Sequence, residues 1–198
     1  MACAPAITRF ERLARPLVLA LSGGGANGAA QAGAAAELFE AGFRPDLKWP
    51  NDLLVGERKL GGVLIDLRAE SAGPASVVIG IGLNLTIGAA LLGQIAQSGT
   101  TATDLASTLQ TLPARNALAA ALVSACVAGL RAFEREGLKP FIEDWRAADA
   151  LRGRPVSVSA ADGVARGVAR GIDLRGALML ETPTGLRRFI SGDVTVRL

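Results

Sequence analysis

The densest group of polar residues in the chain lies in its middle third and is of a kind that binds anions. Lys48, Asn51 and Asp52 lie within five positions of one another, and Lys59 follows shortly after. Lysine neutralises carboxylate or phosphate charge, and the glycines nearby allow backbone N–H groups to approach an anion closely. Aspartate and asparagine oxygens suit Mg²⁺, which accompanies nucleotide phosphates. From the residues alone, an anion and metal site competes with a set of turns that carry solvated charges.

The composition excludes several kinds of chemistry. The 198 residues include no histidine, which rules out Ser-His-Asp and Cys-His triads and histidine-based metal sites. The two cysteines, Cys3 and Cys126, form no CxxC pair, so neither a metal cluster nor a redox pair is predicted. Half of the residues are hydrophobic, which is enough to bury a core. Catalysis would therefore use carboxylates, Lys, Arg, Ser, amides and backbone groups.

Strands are predicted on either side of the polar group. Residues 17–21 read as a short buried strand, and a glycine-rich loop and an alanine-rich helix follow it. A second strand is expected within 46–55, interrupted by Pro50, with a turn at 56–57. Alternating residues near 63–68 and an apolar run over 76–85 indicate two more strands.

The pattern turns helical after residue 88. Asp104 is expected to open a short helix, and Leu112-Pro113 a long one that ends at Gly137. A last helix is expected over 140–148. The long helix has apolar residues at helical spacing, namely Leu118, Leu122, Ala125, Cys126, Leu130 and Phe133.

From residue 151 the apolar period becomes two, and five short strands are predicted, which is typical of a small barrel. We therefore divide the chain into domains at 1–150 and 151–198. The second domain holds eight arginines against four acidic residues, spread without interleaved aromatics. We interpret it as a solvated basic face rather than a nucleic-acid footprint.

Targeting patterns are weak. The apolar run after the N-terminal arginines is short for a signal peptide, and the uncharged stretch 71–103 is broken by Gly, Pro and polar residues. We expect a cytoplasmic protein that binds no membrane.

Several segments closely resemble the biotin protein ligases. The stretch KWPNDLLVGERKLGGVLID, followed by VVIGIGLNL, matches in order and spacing the family's KWPND, (R/K)KLAG and GIGxN segments. The similarity continues through EREGLKPFIEDWRAADALRGRPVSV and the closing SGDVTVR, so that it covers about 46–198.

The resemblance implies a fold and a reaction. The fold is α+β, with a catalytic domain related to class II aminoacyl-tRNA synthetases and a small SH3-like β-barrel behind it. The family joins biotin to ATP, which gives biotinyl-adenylate and pyrophosphate. It then transfers biotin to a lysine of a biotin carboxyl carrier protein domain. The resemblance thus implies a ligase that uses ATP, Mg²⁺ and biotin.

Motif matching carries the family's roles over to this chain. Lys59 corresponds to the KLAG lysine, which contacts the biotin carboxylate and the adenylate phosphate and would stabilise the developing charge. Gly61, in place of the usual Ala, and Gly62 would admit the ligand close to the strand. Gly80 would line the biotin ring site, and Asn84 would contact the adenylate.

Five further residues are assigned by the same matching. Asn51 and Asp52 would help to position Mg²⁺ or the phosphates. Lys48 and Trp49 would belong to the substrate-binding site and shape it rather than react. Arg197 matches a C-terminal arginine that approaches the nucleotide.

The N-terminal part departs from the family pattern. The family carries, ahead of KWPND, a Ser/Thr-rich strand and a GRGRxGRxW-type loop that folds over biotin, and neither occurs here. We therefore expect an N-terminally incomplete catalytic domain in which residues 1–45 are atypical. The 47 residues before Lys48 are too few for a winged-helix domain, so no DNA binding is expected.

Two alternatives to an active ligase remain open. One is a truncated or inactive ligase-like binding protein. The other is an acyl hydrolase, because residues 17–47 resemble the opening of a patatin-like phospholipase, with a GGGxxG loop and AGxRPDL. Patatins carry a GxSxG nucleophile next, and this sequence contains no GxSxG.

Overall fold

The computed structural model describes residues 45–68, 76–161, 163–190 and 193–196. Within these ranges the chain forms two antiparallel sheets, with helices between them in the sequence. The strand, loop and helix predicted over 17–40 lie outside the described residues, as does nearly all of the patatin-like segment.

The first sheet is a four-stranded antiparallel meander. Its strands are β1 (Asp46–Lys48), β2 (Asp52–Val55), β3 (Arg58–Arg68) and β4 (Ser76–Leu83). Pro50 lies in the turn between β1 and β2, because proline cannot donate to a strand ladder. Gly56 opens the turn to β3 with a φ of 59°, a conformation that favours glycine. The interruption at Pro50 and the turn at 56–57 are as predicted.

One face of this sheet is buried. Leu47, Leu53 and Val63 project to that side and are almost wholly excluded from solvent. They belong to a cluster of buried apolar side chains that continues into the second sheet through residues such as Val156 and Leu178. Because side chains alternate along a strand, the residues between them lie on the other face, which we call the open face: its Leu64, Gly80 and Gly82 are exposed, whereas Leu54 on β2 is buried.

The helices follow the first sheet in the sequence. They are α1 (Ala89–Gln97), α2 (Arg115–Glu136), a 3₁₀ turn (Lys139–Phe141) and α3 (Ile142–Ala147). The long predicted helix and its stop at Gly137, with a φ of 64°, are confirmed. The inward side of α2 consists of Leu118, Leu122, Ala125, Gly129 and Ala132.

The helix predicted to open at Asp104 is wrong. Asp104 instead holds a single turn, in which its Oδ1 accepts a hydrogen bond from the Ser107 N–H. Its Oδ2 accepts a hydrogen bond from the N–H of Ile87, which belongs to a different segment. Ala102, two residues before Asp104, pairs with Lys59. The next two residues are also tied to another segment, because Leu105 N donates to Asn84 O and Ala106 N to Leu85 O. Helix α1 was not predicted.

Helix α2 is long and apolar enough, by length and composition, to cross a membrane. One side of it is buried in the core, and the core helix of a soluble protein passes the same test. By itself such a helix is a weak indication of a membrane span.

The second sheet has five antiparallel strands, in the spatial order β8-β7-β6-β5-β9. They are β5 (Pro155–Ala160), β6 (Gly163–Ile172), β7 (Leu178–Thr182), β8 (Gly185–Phe189) and β9 (Asp193–Val196). The five predicted strands are all present. Closure of this C-terminal sheet into an SH3-like barrel, and the domain boundary at 150, stay predictions.

Candidate active site

A row of residues crosses all four strands of the first sheet on its open face. The pairing places Lys48 opposite Asp52, Asp52 opposite Gly62, and Gly62 opposite Gly82. Residues directly opposite one another in an antiparallel sheet share a face. The row therefore runs from β1 to β4. It has charged side chains on β1 and β2 and glycines on β3 and β4.

Asp52 lies between two lysines. Its Oδ2 is 3.5 Å from Lys48 Nζ, and its Oδ1 forms an ion pair with Lys59 Nζ. The carboxylate is mostly enclosed, whereas 42% of the Lys59 side chain is exposed to solvent. Two ammonium groups around one carboxylate leave a local excess of positive charge, which favours a bound anion.

A β-bulge gives Lys59 its direction. Leu53 pairs with Gly61 and Leu54 pairs with Lys59, so Leu60 is an extra residue in β3. In a regular strand Lys59 would lie on the same face as Gly61, which is the buried one. The bulge moves Lys59 to the face of Asp52 while Leu60 is fully buried, and re-aiming a side chain is a known effect of bulges.

Glycines keep the space next to the lysines open. A Cβ at Gly62 would lie 3.0 Å from Asn51 O and 3.8 Å from Lys59 Cε. Gly80 and Gly82 continue the same face along β4, and both are exposed. This glycine floor leaves room for a ligand directly on the peptide groups of the sheet.

Two apolar side chains border the glycine floor. Leu64 pairs with Gly80 and is 67% exposed, and Val78 lies two positions before Gly80 and is 62% exposed. Sequence analysis missed both, because Leu64 lies in an alternating segment and Val78 in an apolar run, and neither pattern indicates a ligand site. They add exposed apolar surface beside Gly80, in contrast to the charged side chains at Asp52.

Gly61 lies on the opposite face of the sheet from Lys59 and Gly62, and its assignment as a substrate-binding residue stays a prediction. It is buried on the opposite face, where a Cβ would lie 2.2 Å from Gly82 O. Its physical role is close packing of β3 against β4.

The side chain of Asn84 is held by backbone carbonyls, and its predicted contact with the adenylate stays a prediction. Its Nδ2 donates to Lys59 O at 3.3 Å and to Thr103 O at 3.0 Å. The amide nitrogen is thus directed at backbone carbonyls, and Asn84 holds the backbone of the catalytic lysine candidate.

Residues 101–103 act as an added strand beside Lys59, and sequence analysis missed them. Lys59 N donates to Thr101 O and Thr103 N donates to Lys59 O, both at 2.9 Å. Asp104 closes this segment: it is 2% exposed and accepts hydrogen bonds from Ile87 N at 2.6 Å and Ser107 N at 2.7 Å. The hydrogen bonds with Ser107, above all, hold the pKa of Asp104 below its usual value.

The metal assignment at Asn51 and Asp52 fits only a limited role. No group of three or more His, Cys, Asp or Glu side chains that could hold a metal occurs among the described residues. Both oxygens of Asp52 already face lysines. Mg²⁺ is often bound through one or two protein oxygens together with substrate phosphates, and Asn51 and Asp52 fit that arrangement.

Trp49 and Arg197 complete the predicted set. Trp49 is fully buried, so it does not reach a substrate and shapes the site instead. Arg197 lies outside the described residues. The structure therefore brings together Lys48, Asn51, Asp52, Lys59, Gly62 and Gly80.

Comparison with solved structures defines the class of fold. The biotin protein ligase from Aquifex aeolicus in complex with biotin and ATP superposes with a TM-score of 0.65 at 21% identity, over 84% of this chain and 70% of that one. The fold is thus that of the biotin protein ligases: an α+β sheet domain followed by a C-terminal β domain.

Sequence comparisons give the family. Residues 42–84 match the Biotin/lipoate A/B protein ligase family, and residues 152–197 match the Biotin protein ligase C terminal domain. The Bifunctional ligase/repressor BirA of Salmonella typhimurium is 36% identical over 151 residues, which are 76% of this chain and 46% of the relative. The chain belongs to the biotin protein ligase family.

A second relative matches over a larger share of its own length. The Biotin--[acetyl-CoA-carboxylase] ligase of Paracoccus denitrificans is 29% identical over 82% of this chain and 71% of its own. The chain spans about half the length of the BirA relatives that it matches.

Proposed function

We propose that this protein is a cytoplasmic biotin protein ligase. It forms biotinyl-adenylate from biotin and ATP and transfers biotin to a lysine of a carboxyl carrier domain. The observation that carries the proposal is the Lys48–Asp52–Lys59 group beside the glycine floor, in a member of this family. The relative from Paracoccus denitrificans is named Biotin--[acetyl-CoA-carboxylase] ligase. The Aquifex aeolicus structure, which has the same fold, is a complex with biotin and ATP.

In the first step a biotin carboxylate oxygen attacks the α-phosphorus of ATP, and the bond to the β-phosphate bridge breaks to release pyrophosphate. For this step the biotin carboxylate must approach the phosphate groups of ATP, which are also negatively charged. Lys59 and Lys48 supply fixed positive charge at one end of the floor, where they offset that repulsion and the charge that develops at the α-phosphate. Lys59 is the more exposed of the two and is the proposed catalytic residue.

The opposite end of the floor suits the bicyclic ring of biotin. Gly80 and Gly82 leave the peptide plane bare, and Leu64 and Val78 offer exposed apolar surface beside it. Small-molecule sites commonly combine apolar walls with a few placed polar groups. Mg²⁺, when bound, would neutralise phosphate charge, with Asn51 and Asp52 as its protein oxygens.

In the second step the amine of a carrier lysine attacks the acyl carbon of the adenylate. The bond to the phosphate oxygen breaks, AMP leaves, and the amine loses a proton as the amide forms. Neither step needs histidine, which agrees with its absence from the sequence. That this chain binds no DNA stays a prediction.

The test is biotinylation of a purified carrier domain with ATP and Mg²⁺, measured as a mass increase. We expect the whole chain to transfer biotin and Lys59→Ala to abolish adenylate formation. Lys139→Ala is the matched control, because it removes an exposed lysine on the 3₁₀ turn, away from the site. Absence of transfer with excess enzyme would favour a binding protein without activity. An unchanged rate in Lys59→Ala would show that the site assignment is wrong.

A further inference from the structure

Trp49 connects the site to the C-terminal sheet. It follows Lys48 directly and lies in the turn that leads to Asp52. Its fully buried indole donates a hydrogen bond from Nε1 to Gly176 O at 3.1 Å, across 127 positions of sequence. A Trp N–H that is buried usually finds an acceptor, and here the acceptor belongs to the turn between β6 and β7.

The acceptor turn is internally braced. The Asp173 carboxylate accepts hydrogen bonds from Arg175 N at 2.8 Å, Ala177 N at 3.0 Å and Arg188 Nε at 2.6 Å. Burial alone would raise the pKa of Asp173, but these hydrogen bonds hold it below its usual value. Gly176, with a φ of 74°, donates its own N–H to Asp173 O. The carbonyl that Trp49 contacts is therefore fixed by a hydrogen-bonded turn.

The strand before Trp49 is also fastened to the chain that enters the C-terminal sheet. Leu47 N donates to Ala148 O at 2.7 Å, and Ala150 N donates to Leu47 O at 2.9 Å. At the far end of the hairpin, Arg154 Nη2 lies 2.7 Å from Glu57 Oε1. Of these ties, only the Trp49 hydrogen bond is made by a side chain within the KWPND segment.

We propose that Trp49 is a positioning residue through which the braced turn at 173–177 sets the placement of Lys48 and Asp52. The proposal rests on the proposed function and deepens it. A hydrogen bond is directional, so it fixes the turn after β1 in a way that apolar packing does not. Displacement of a reacting group by about 1 Å can cost on the order of a hundredfold in rate. On this view the C-terminal sheet is a working part of the active site through its contact with Trp49.

The chain offers a matched pair of variants. Trp49→Phe removes the donor and keeps an aromatic ring. Trp145→Phe makes the same change at another fully buried tryptophan, whose Nε1 has no hydrogen-bond partner within the described residues. Both variants lose the same atoms, so a difference between them reports the hydrogen bond and not the smaller ring.

The first measurement is adenylate formation by the whole chain, with kcat and KM determined for biotin and for ATP. We expect kcat of Trp49→Phe to fall by about tenfold or more, with a smaller change in KM, because groups are misplaced for reaction rather than lost from binding. We expect Trp145→Phe to stay within about twofold of the wild type, and the thermal midpoints of the two variants to be similar.

The second measurement is hydrogen–deuterium exchange of the ligand-free protein. Trp49→Phe should increase exchange over residues 46–59, whereas Trp145→Phe should not. Asp173→Ala should reproduce both effects by loosening the acceptor turn, and the double variant should be no worse than either single one. Asp173→Ala also carries the test if Trp49→Phe does not fold.

The outcomes separate the inference from the proposed function. If the wild type forms no adenylate, the proposed function fails, and exchange over 46–59 alone decides the positioning role. If the wild type is active and Trp49→Phe matches Trp145→Phe in kcat, the inference is overturned. Additive effects of Trp49→Phe and Asp173→Ala would also overturn it, because the two residues would then act independently.

Discussion

Lys59 and Asp52 form an ion pair although they are not opposite each other in the sheet. Asp52 pairs with Gly62, and Lys59 pairs with Leu54. The lysine side chain therefore runs forward along β3, toward Gly62, to reach the carboxylate, and a Cβ at Gly62 would lie 3.8 Å from its Cε. The ion pair therefore depends on the absence of a side chain at Gly62, next to which the lysine passes.

Asp52→Asn should lower the rate of adenylate formation by roughly ten- to a hundredfold, because it removes the charge that orients both ammonium groups. The free energy of unfolding should change by less than about 1 kcal/mol, since partly exposed ion pairs contribute little to stability. Single-turnover kinetics and urea unfolding check the two parts. Glu181→Gln, which breaks the exposed pair with Arg170, is the control and should leave the rate unchanged. Equal rates for the two variants would contradict the prediction.

Gly62→Ala should lower the rate of adenylate formation clearly and change the free energy of unfolding only a little. The added Cβ would lie 3.0 Å from the backbone oxygen of Asn51, which must shift by a few tenths of an ångström, and 3.7 Å from Asp52 Oδ1, which is an ordinary contact distance. We expect a loss of about tenfold in adenylate formation and about 1 kcal/mol or less in stability. Gly93→Ala is the control, because a Cβ there meets nothing within 4 Å. Full activity in Gly62→Ala would show that the floor has more room than the structure indicates.

Asp104→Ala should destabilise the protein by about 1–3 kcal/mol, because the partly buried N–H of Ile87 and the N–H of Ser107 lose the buried carboxylate that accepts their hydrogen bonds. The pKa of Asp104 is lowered, so its contribution is present above the ordinary aspartate range and is lost as the pH falls through the lowered value. Urea unfolding at neutral pH measures the cost. Glu134→Ala removes an exposed carboxylate on α2 and should cost far less. Similar losses for both variants would refute the buried-acceptor account.

Asp149→Asn should stabilise the protein at neutral pH. Burial raises the pKa of the Asp149 carboxyl to about 6, against the opposing effects of the Leu151 and Arg152 amides and the Arg152 charge. Its Oδ2 has no hydrogen-bond partner among the described residues. A raised pKa means that stability is fully present below about pH 4 and is lost as the pH rises to about 6, by about 3 kcal/mol in total.

Unfolding of the wild type and of Asp149→Asn should be compared at pH 4, 5, 6 and 8. The advantage of the variant should grow between pH 4 and 6 and then stay constant. Asn keeps the acceptor that Asp149 Oδ1 offers to Leu151 N, so the turn itself is preserved. A difference that does not depend on pH would contradict the raised pKa.

Local patterns sufficed for much of the fold. Pro50 and Gly56 mark the turns of the hairpin, and the apolar spacing of α2 with its stop at Gly137 needs no distant contact. Alternation also identified the five strands of the C-terminal sheet. These features depend on residues that lie close together in the sequence, so their signal can be read there.

The site depends on contacts that no local pattern contains. The pairing of Lys59 with Ala102 and the hydrogen bonds of Asn84 to Lys59 and Thr103 join separate segments. Strict alternation would place Gly61 and Lys59 on the same face of β3. The bulge at Leu60 places them on opposite faces. Motif matching selects Lys59 as the candidate lysine, but only the sheet register shows which neighbours share its face.

The bulge at Leu60 and the two-residue turn before it also limit the kinds of mutation that this hairpin can tolerate. Loss or gain of a single residue in the turn at 56–57 would shift the register of β3 by one and move its side chains to the opposite face, because the side-chain period of a strand is two. Such a protein could keep its ladder of hydrogen bonds and still present Lys59 to the core. Among descendants of this gene, substitutions in the hairpin are therefore expected to accumulate, whereas insertions and deletions between Asp52 and Gly62 are expected to be eliminated.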